Sequence, residues 1–404
     1  MPPSSSESSF ESLDDIARHE GNDSAAASAP SFKAGARERN GGIDALRAAV
    51  TLLVVFHHTA LTYGAIGGWY YREIAPSNSP SSLLLILFTA FNQAWFMGLF
   101  FLLAGYYTPP AHRRHGTAGF VKERLLRLGV PLLFYVLILS PLTIALAQTA
   151  KGHPFLGVFT YVWIHGRLEP GPLWFAEALL IFTAVWLLWR AMRKGDATVK
   201  APFPSNMVLF AAAVVTGIAA FLLRLVWPVG VNVAFLQLGY FASYIVLFAA
   251  GCAAAEQKWL ERIPESQKKR WLRIAWLAFA VLPIAVVLAR RVPWLHGRAE
   301  GGLNLQALTY AFWEPFVAWG VILGLLTLFQ RRFASLTGVW ARLARRAYPI
   351  YIIHPPVLVG VALVWRDVAA PALLKFLVTG SLACALCYVI AGLALRIPVV
   401  ARIV

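Results

Sequence analysis

The sequence predicts an all-α integral membrane protein with about ten transmembrane helices and both termini in the cytoplasm. Only 14% of the 404 residues are charged and 59% are hydrophobic, whereas a soluble domain averages about 25% charged residues. The apolar residues form blocks, such as 83–107 and 372–396, close to the ~20 residues that a spanning helix needs. Lys and Arg are concentrated in alternate loops between these blocks.

Ten apolar segments account for nearly all of the chain from residue 44 onward, and each has the length of one membrane span. In chain order they are 44–66, 83–107, 125–149, 173–193, 206–227, 233–255, 271–290, 304–329, 347–365 and 372–396. Residues 1–40 are rich in Ser, Ala, Pro and acidic residues and contain no apolar run. We therefore expect a disordered cytoplasmic tail, rather than a signal peptide, ahead of one transmembrane domain over residues 41–404.

The loop charges predict the orientation in the membrane. The loops after predicted helices 2, 4, 6 and 8 carry twenty Lys and Arg residues, whereas those after helices 1, 3, 5, 7 and 9 carry nine. Because basic residues collect in cytoplasmic loops, the even-numbered loops and both termini are predicted to be cytoplasmic. The same bias accounts for the formal net charge of +17 without a nucleic-acid partner.

Predicted helix 1 carries the most informative polar residues, Arg47 and His58. They are eleven residues apart, so they lie within about 20° of one helix face, with His58 about 16 Å deeper, near the bilayer centre. His57 points about 100° away, towards another helix or lipid. Ionisable residues inside spans are costly and usually functional, so Arg47 and His58 are predicted catalytic residues. The alternative is a snorkelling arginine and a histidine hydrogen-bonded to a neighbouring helix.

Predicted helix 3 begins with a basic pair. Arg124 and Arg127 are three residues apart and therefore share a face at the cytoplasmic interface. Two guanidinium groups in this arrangement suit a phosphate-rich ligand. Ordinary anchoring at the membrane surface explains the pair equally well.

Two carboxylates lie in predicted spans. Glu177 is in predicted helix 4 and Glu314 is in predicted helix 8. Either is a candidate catalytic residue that orients His58 or acts as an acid or base. Either is equally a candidate structural partner for Arg224 or Arg290.

Three further residues are candidates for substrate binding: Trp174 at the start of predicted helix 4, and Tyr351 and His354 in predicted helix 9. Tyr351 and His354 share a face at a depth similar to that of His58. Pro355 and Pro356 are expected to kink this helix and free carbonyl groups beside a cavity. A structural histidine at the kink is the alternative.

These residues together resemble the membrane acyltransferase-3 family, in particular the branch that includes glucan biosynthesis protein C. The resemblance rests on the Arg47 to His58 spacing, the Arg124-x-x-Arg127 pair, and three phrases: FFLLAGYY, GPLWF at 171–175 and YPIYIIHPP at 348–356. It spans nearly all of residues 41–396. Ala104 stands where the family commonly has serine.

The resemblance implies a membrane-embedded O-acyltransferase in the inner membrane of a bacterium. Such an enzyme moves an acetyl or succinyl group from cytoplasmic acyl-CoA, its co-substrate, to a hydroxyl of an extracytoplasmic carbohydrate such as a glucan. His58 would act as general base, and Arg124 and Arg127 would hold the CoA phosphates. Arg47 would hold the donor end, and no metal or permanently bound cofactor is needed. The alternatives are a secondary transporter of a polar metabolite, an acyltransferase of another multispanning family, and a non-catalytic sensor or scaffold.

Overall fold

The computed structural model describes residues 40–193, 201–292 and 297–403, without the side chains of residues 286, 287, 289 and 290. The predicted tail, up to residue 39, lies outside the described residues, as does the side chain of Arg290. The described chain is almost entirely helical. Its α-helices are α1 (Gly41–Thr62), α2 (Pro80–Arg124), α3 (Val130–Phe134), α4 (Ser140–Thr149), α5 (Phe155–Ile164), α6 (Trp174–Met192), α7 (Asn206–Val226), α8 (Phe241–Gln257), α9 (Glu265–Arg291), α10 (Leu305–Arg332), α11 (Gly338–Val364), α12 (Ala372–Ala394) and α13 (Pro398–Ile403).

Eight of the described helical stretches are long and apolar enough to cross a membrane. One of them, Pro80–Thr149, has 70 residues and is interrupted at Gly116, where φ is 63° and ψ is 177°. Arg124, after this break, contacts the hydroxyl of Thr108, before it, at 3.1 Å, although a straight helix would separate them by about 24 Å. The chain therefore reverses here, and this stretch contains predicted helices 2 and 3. Nine of the ten predicted spans therefore lie in these eight stretches. The remaining one, predicted helix 7, lies in the helix α9, which is not among the eight.

Two local features differ from the sequence prediction. Predicted helix 6 was placed from residue 233, but residues 228–237 form a loop with a tight turn in which Val233 and Leu236 exchange backbone hydrogen bonds of 2.9 Å. The apolar residues of this turn resemble the start of a span in composition. Helix α5 was not predicted, because its ten residues are too few to span a membrane. Both features contribute to the wall of the candidate site.

Helix α1 lies in the interior of the bundle, where it packs against α2, α10, α11 and α12. Helices α2 and α8 approach closely at paired glycines. A Cβ atom at Gly105 would overlap the carbonyl of Phe248, and one at Gly251 would overlap the carbonyl of Leu102. Small residues at such crossings are the usual basis of helix association in membranes. This packing joins α2, one of the helices that contact α1, closely to α8.

Candidate active site

A cavity of about 1650 Å³ occupies one end of the bundle. Its wall includes residues 66–70 after α1, several residues between 153 and 172 around α5, several between 229 and 237, and residues 299–300. These segments correspond to the loops predicted to be extracytoplasmic. The lining is rich in aromatic side chains and also contains polar groups; prominent among them are Trp69, Tyr70, Tyr161, Trp174, Tyr240, Tyr244, Tyr310, Gln93, Asn232, Gln237, Glu169 and Glu300.

His58 lies at the wall of this cavity. Its ring stacks on the indole of Trp69, with centroids 4.1 Å apart and planes within 10°. Its Nδ1 atom is 2.9 Å from Nε2 of His354. The structure thus brings together two histidines that are 296 residues apart in the sequence. The His58 ring is held by a stacking contact on one face and by a hydrogen-bonding contact at Nδ1.

His354 is fully buried on α11, with a relative exposure of 0%. Its Nδ1 atom donates a hydrogen bond of 2.7 Å to the backbone carbonyl of Tyr351. Of the three predicted substrate-binding residues, Trp174 and Tyr351 line the cavity, whereas His354 is not part of the described lining. His354 therefore contacts the cavity-lining residue His58 without lining the described cavity itself.

His57 also borders the cavity. As its angle on α1 predicts, it meets another helix: its ring stacks on Phe96 of α2 at 4.9 Å. Its angle on the helix also predicted that His57 would lie away from the site. This prediction is wrong, because the cavity is broad enough to reach two faces of α1. Its Nδ1 atom is buried without a hydrogen-bond partner among the described residues.

The turn before α6 is held against the cavity wall. The hydroxyl of Tyr351 donates a hydrogen bond to the carbonyl of Pro172. At the preceding residue, Gly171, φ is +46°, and a Cβ atom there would overlap the hydroxyl of Tyr70 and crowd that of Tyr135. Those two hydroxyls are 3.1 Å apart. Only glycine fits this position, both in conformation and in space, which explains the Gly in the GPLWF phrase.

Arg47 is distant from the cavity. It lies eleven residues before His58 on α1, about 16 Å along the helix axis, and its side chain is 43% exposed and 3.5 Å from Asp44. Thr51 and Thr62 lie on nearly the same face of α1 as Arg47 and His58, but their hydroxyls donate to the carbonyls of Arg47 and His58 at 2.9 and 3.3 Å. The face is therefore polar in sequence but largely satisfied within the helix.

Arg124 and Arg127 lie at the same end of the bundle as Arg47. Arg124 donates to Thr108 at 3.1 Å and stacks over the ring of Phe120 at 5.0 Å. Arg127 is 60% exposed and 3.4 Å from Glu123, within a π-helical turn over Leu125–Gly129. Thr108 lies eleven residues, about 16 Å along α2, from the cavity-lining residue Met97, and neither arginine is part of the described cavity lining.

Neither predicted carboxylate contacts His58. Glu314 is buried and forms an ion pair with Arg224, which is one of the structural alternatives considered for it. Glu177 lies in the first turn of α6 and is not part of the described cavity lining. The side chain at hydrogen-bonding distance from the His58 ring is that of His354.

Sequence reasoning missed several cavity residues. Trp69, Tyr70 and Glu169 lie in loops, where neither helical periodicity nor membrane depth marks a residue. Burial raises the pKa of the Glu169 carboxyl, so this group is protonated at higher pH than an exposed glutamate. The only available signal was the aromatic run from Trp69 to Tyr71, because exposed loops seldom carry three consecutive aromatic residues.

Comparisons with known proteins identify the family of the chain. A family model described as an acyltransferase domain matches residues 40–392. Glucans biosynthesis protein C from Escherichia coli (strain SMS-3-5 / SECEC), and the proteins of the same name from strains O1:K1 / APEC and O157:H7 (strain EC4115 / EHEC), are 28% identical over 155 residues. Each alignment covers 37% of this chain and 38% of the relative, so the match spans well under half the length of these relatives. No solved structure matches the chain significantly.

Proposed function

Because this chain belongs to the membrane acyltransferase-3 family, we propose that it transfers an acyl group from cytoplasmic acyl-CoA to a hydroxyl of an extracytoplasmic carbohydrate. The donor is acetyl-CoA or succinyl-CoA. The acceptor to test first is a glucan, since the E. coli relatives are named for glucan biosynthesis. A location in the inner membrane of a bacterium is part of this proposal.

The observation that carries the proposal is the position of His58 at the wall of the large cavity. An imidazole is the side chain best suited to act as a general base near neutral pH. The surrounding aromatic rings and the amides of Gln93, Asn232 and Gln237 offer flat apolar faces and hydrogen-bonding groups, which match the faces and hydroxyls of a sugar ring. The cavity exceeds the ~300–1,000 Å³ of ordinary small-molecule pockets, which suits an acceptor larger than a monosaccharide.

The donor is proposed to enter from the opposite end. Arg124 and Arg127 lie at the predicted cytoplasmic end of the bundle. Arg47 lies near the start of α1, at the same predicted end, eleven residues before His58. Guanidinium groups bind phosphate more specifically than ammonium groups because they present paired donors. In this arrangement the two arginines of the pair hold the CoA phosphates, the pantetheine arm extends into the bundle, and the thioester approaches His58.

The proposed transfer needs only the exchange of one proton and one acyl group. His58 accepts the proton of the acceptor hydroxyl, whose oxygen attacks the thioester carbonyl carbon. The carbon–sulfur bond breaks as the ester forms, and the departing CoA sulfur takes the proton back from His58. One acyl group is transferred, one free CoA thiol is released, and the enzyme returns to its starting state.

The test uses purified protein in detergent with acetyl-CoA or succinyl-CoA and a panel of glucan acceptors. We expect free CoA to be released only when an acceptor is present, and the acceptor to gain the mass of the acyl group. His58→Ala should slow this release by about 10²–10⁴-fold, while His115→Ala, which alters an exposed histidine next to Glu123, should leave its rate unchanged. A folded protein that moves a polar solute across liposomes but never consumes the thioester would favour the transporter alternative.

A further inference from the structure

We propose that His354 is a positioning residue that sets the tautomer of His58, so that Nε2 of His58 carries the free lone pair of the general base. The inference rests on the proposed acyl transfer for its catalytic meaning. It deepens that proposal by replacing the predicted substrate-binding role of His354 with one exerted through His58.

The proline that follows His354 leaves a backbone carbonyl of α11 without its usual donor. In an α-helix, the carbonyl of residue i accepts a hydrogen bond from the amide of residue i+4. The residue four positions after Tyr351 is Pro355, which has no amide hydrogen. The carbonyl of Tyr351 is therefore left without its helical donor inside α11, and Nδ1 of His354 supplies one at 2.7 Å. Pro355 thus removes the backbone donor of the Tyr351 carbonyl, and the adjacent His354 side chain replaces it.

The second step follows from the donors and acceptors of a neutral imidazole, which has one N–H and one bare nitrogen. A carbonyl only accepts, so the hydrogen of His354 must be on Nδ1, and its Nε2 is bare. Nε2 of His354 is 2.9 Å from Nδ1 of His58, so His58 must donate from Nδ1. The remaining nitrogen of His58, Nε2, is therefore the bare one. For two neutral rings, this is the only assignment that satisfies both hydrogen bonds.

The surroundings support the neutral pair. Neither imidazole has a carboxylate within hydrogen-bonding distance among residues 40–193, 201–292 and 297–403, and Trp69 stacks on His58 at 4.1 Å and lies parallel to His354 at 6.0 Å. The planes of the three rings are nearly parallel, with interplanar angles of 14° or less. This stack prevents the His58 ring from flipping, which would exchange its two nitrogens.

In the reaction, His354 neither gives nor receives a proton. The acceptor hydroxyl loses its proton to Nε2 of His58, and the His58 ring becomes positively charged with hydrogens on both nitrogens. Nε2 of His354 continues to accept the hydrogen on Nδ1 and stabilises this charge. When the CoA sulfur takes the proton from Nε2, the original tautomer returns. The arrangement parallels hydrolase triads, in which a buried carboxylate holds the catalytic histidine in one tautomer.

Two isosteric substitutions separate this role from substrate binding and from packing. In His354→Gln, the side-chain carbonyl reaches the position of Nε2 and accepts the hydrogen of His58. In His354→Asn, the shorter amide reproduces only Nδ1; it donates to the Tyr351 carbonyl but does not reach His58. We expect kcat to fall about 10²-fold or more for Asn, in the range associated with acid–base catalysis, and at least tenfold less for Gln. KM for both substrates should remain near that of the wild type, because His354 lies outside the cavity lining.

The prolines provide a matched control. Pro355→Ala restores an amide donor to the Tyr351 carbonyl and weakens its bond to His354, so we expect a several-fold loss of kcat. Pro356→Ala restores a donor only to the carbonyl of Ile352, which has no role in the pair, so its kcat should be unchanged. Equal losses for both proline variants would assign their effect to the shape of the helix and overturn the first step of the argument.

A measurement without substrates keeps this inference distinct from the proposed function. In protein labelled with ¹⁵N-histidine, NMR shifts should show His58 with a protonated Nδ1 and a bare Nε2, and His354→Asn should give a mixture of tautomers. A protonated Nε2 on neutral His58, or a raised acceptor KM with unchanged kcat in the Asn variant, would overturn the inference even if acyl transfer occurs. The expected tautomer in a protein without transferase activity would leave the pair established and the proposed function refuted.

Discussion

The buried pair of Arg224 on α7 and Glu314 on α10 offers a direct test of whether Glu314 is structural or catalytic. The side chains are 1% and 3% exposed. Arg224 also donates to the carbonyl of Gly239 at 3.0 Å and lies over the rings of Tyr240 and Tyr310 at 5.3 and 5.1 Å. Glu314→Ala would leave the guanidinium buried with these contacts but without its counter-charge. Breaking a buried pair from one side costs about 3–5 kcal/mol.

A cost of this size reduces the folded-to-unfolded ratio by about 10²–10³-fold or more, at 1.4 kcal/mol per factor of ten. The expected result is a clearly lowered apparent unfolding temperature for Glu314→Ala. Unfolding is measured in detergent by the change in tryptophan fluorescence on heating. The double variant Arg224→Met/Glu314→Leu, which removes both charges and keeps the volume, should be more stable than Glu314→Ala, because no unpaired charge is left.

Activity per folded molecule completes this test. If the pair is structural, Glu314→Gln, which keeps the shape and a hydrogen-bonding oxygen, should retain most of the turnover of the wild type. Turnover lost in Glu314→Gln at an unchanged unfolding temperature would show that the carboxylate is catalytic and that the structural interpretation is wrong. A double variant no more stable than the sum of its single changes would refute the electrostatic argument itself.

Three further predictions concern orientation, the donor and the base. A single cysteine at position 265, replacing Glu265 in a cysteine-free variant, should react with an impermeant thiol reagent only from the cytoplasmic side; labelling from outside would reverse the orientation. Replacing both Arg124 and Arg127 with Gln should raise the donor KM with little change in fold, and Lys at both positions should recover only part of the affinity. An unaltered donor KM would reduce the pair to membrane anchoring. His58→Ala should lower kcat by about 10²–10⁴, whereas His57→Ala should act mainly on the acceptor KM, and a larger kcat loss at His57 would exchange the two assignments.

Much of this protein could be read from the sequence because a bilayer imposes simple rules. A span needs about twenty apolar residues, so ten segments could be counted, and ionisable residues within spans are rare enough to attract attention. His58 was found in this way, and it does lie at the cavity. The same rule gave equal weight to Glu314. Its partner, Arg224, lies 90 residues away in the chain. The sequence could not distinguish Arg224 from the other candidate, Arg290, because the choice depends on the packing of α7 against α10.

The sequence by itself determined the class of the fold, the helical segments and the residues that are costly to bury, because these depend on composition and on spacing along one helix. It also contained the proline that frees the Tyr351 carbonyl, since that vacancy is local to α11. Only the tertiary structure decided that α11 lies beside α1, that His354 contacts His58 at 2.9 Å, and that Trp69 from a loop covers them both. Those contacts join residues far apart in the chain, and they depend on how helices pack, which no periodicity within a single helix records.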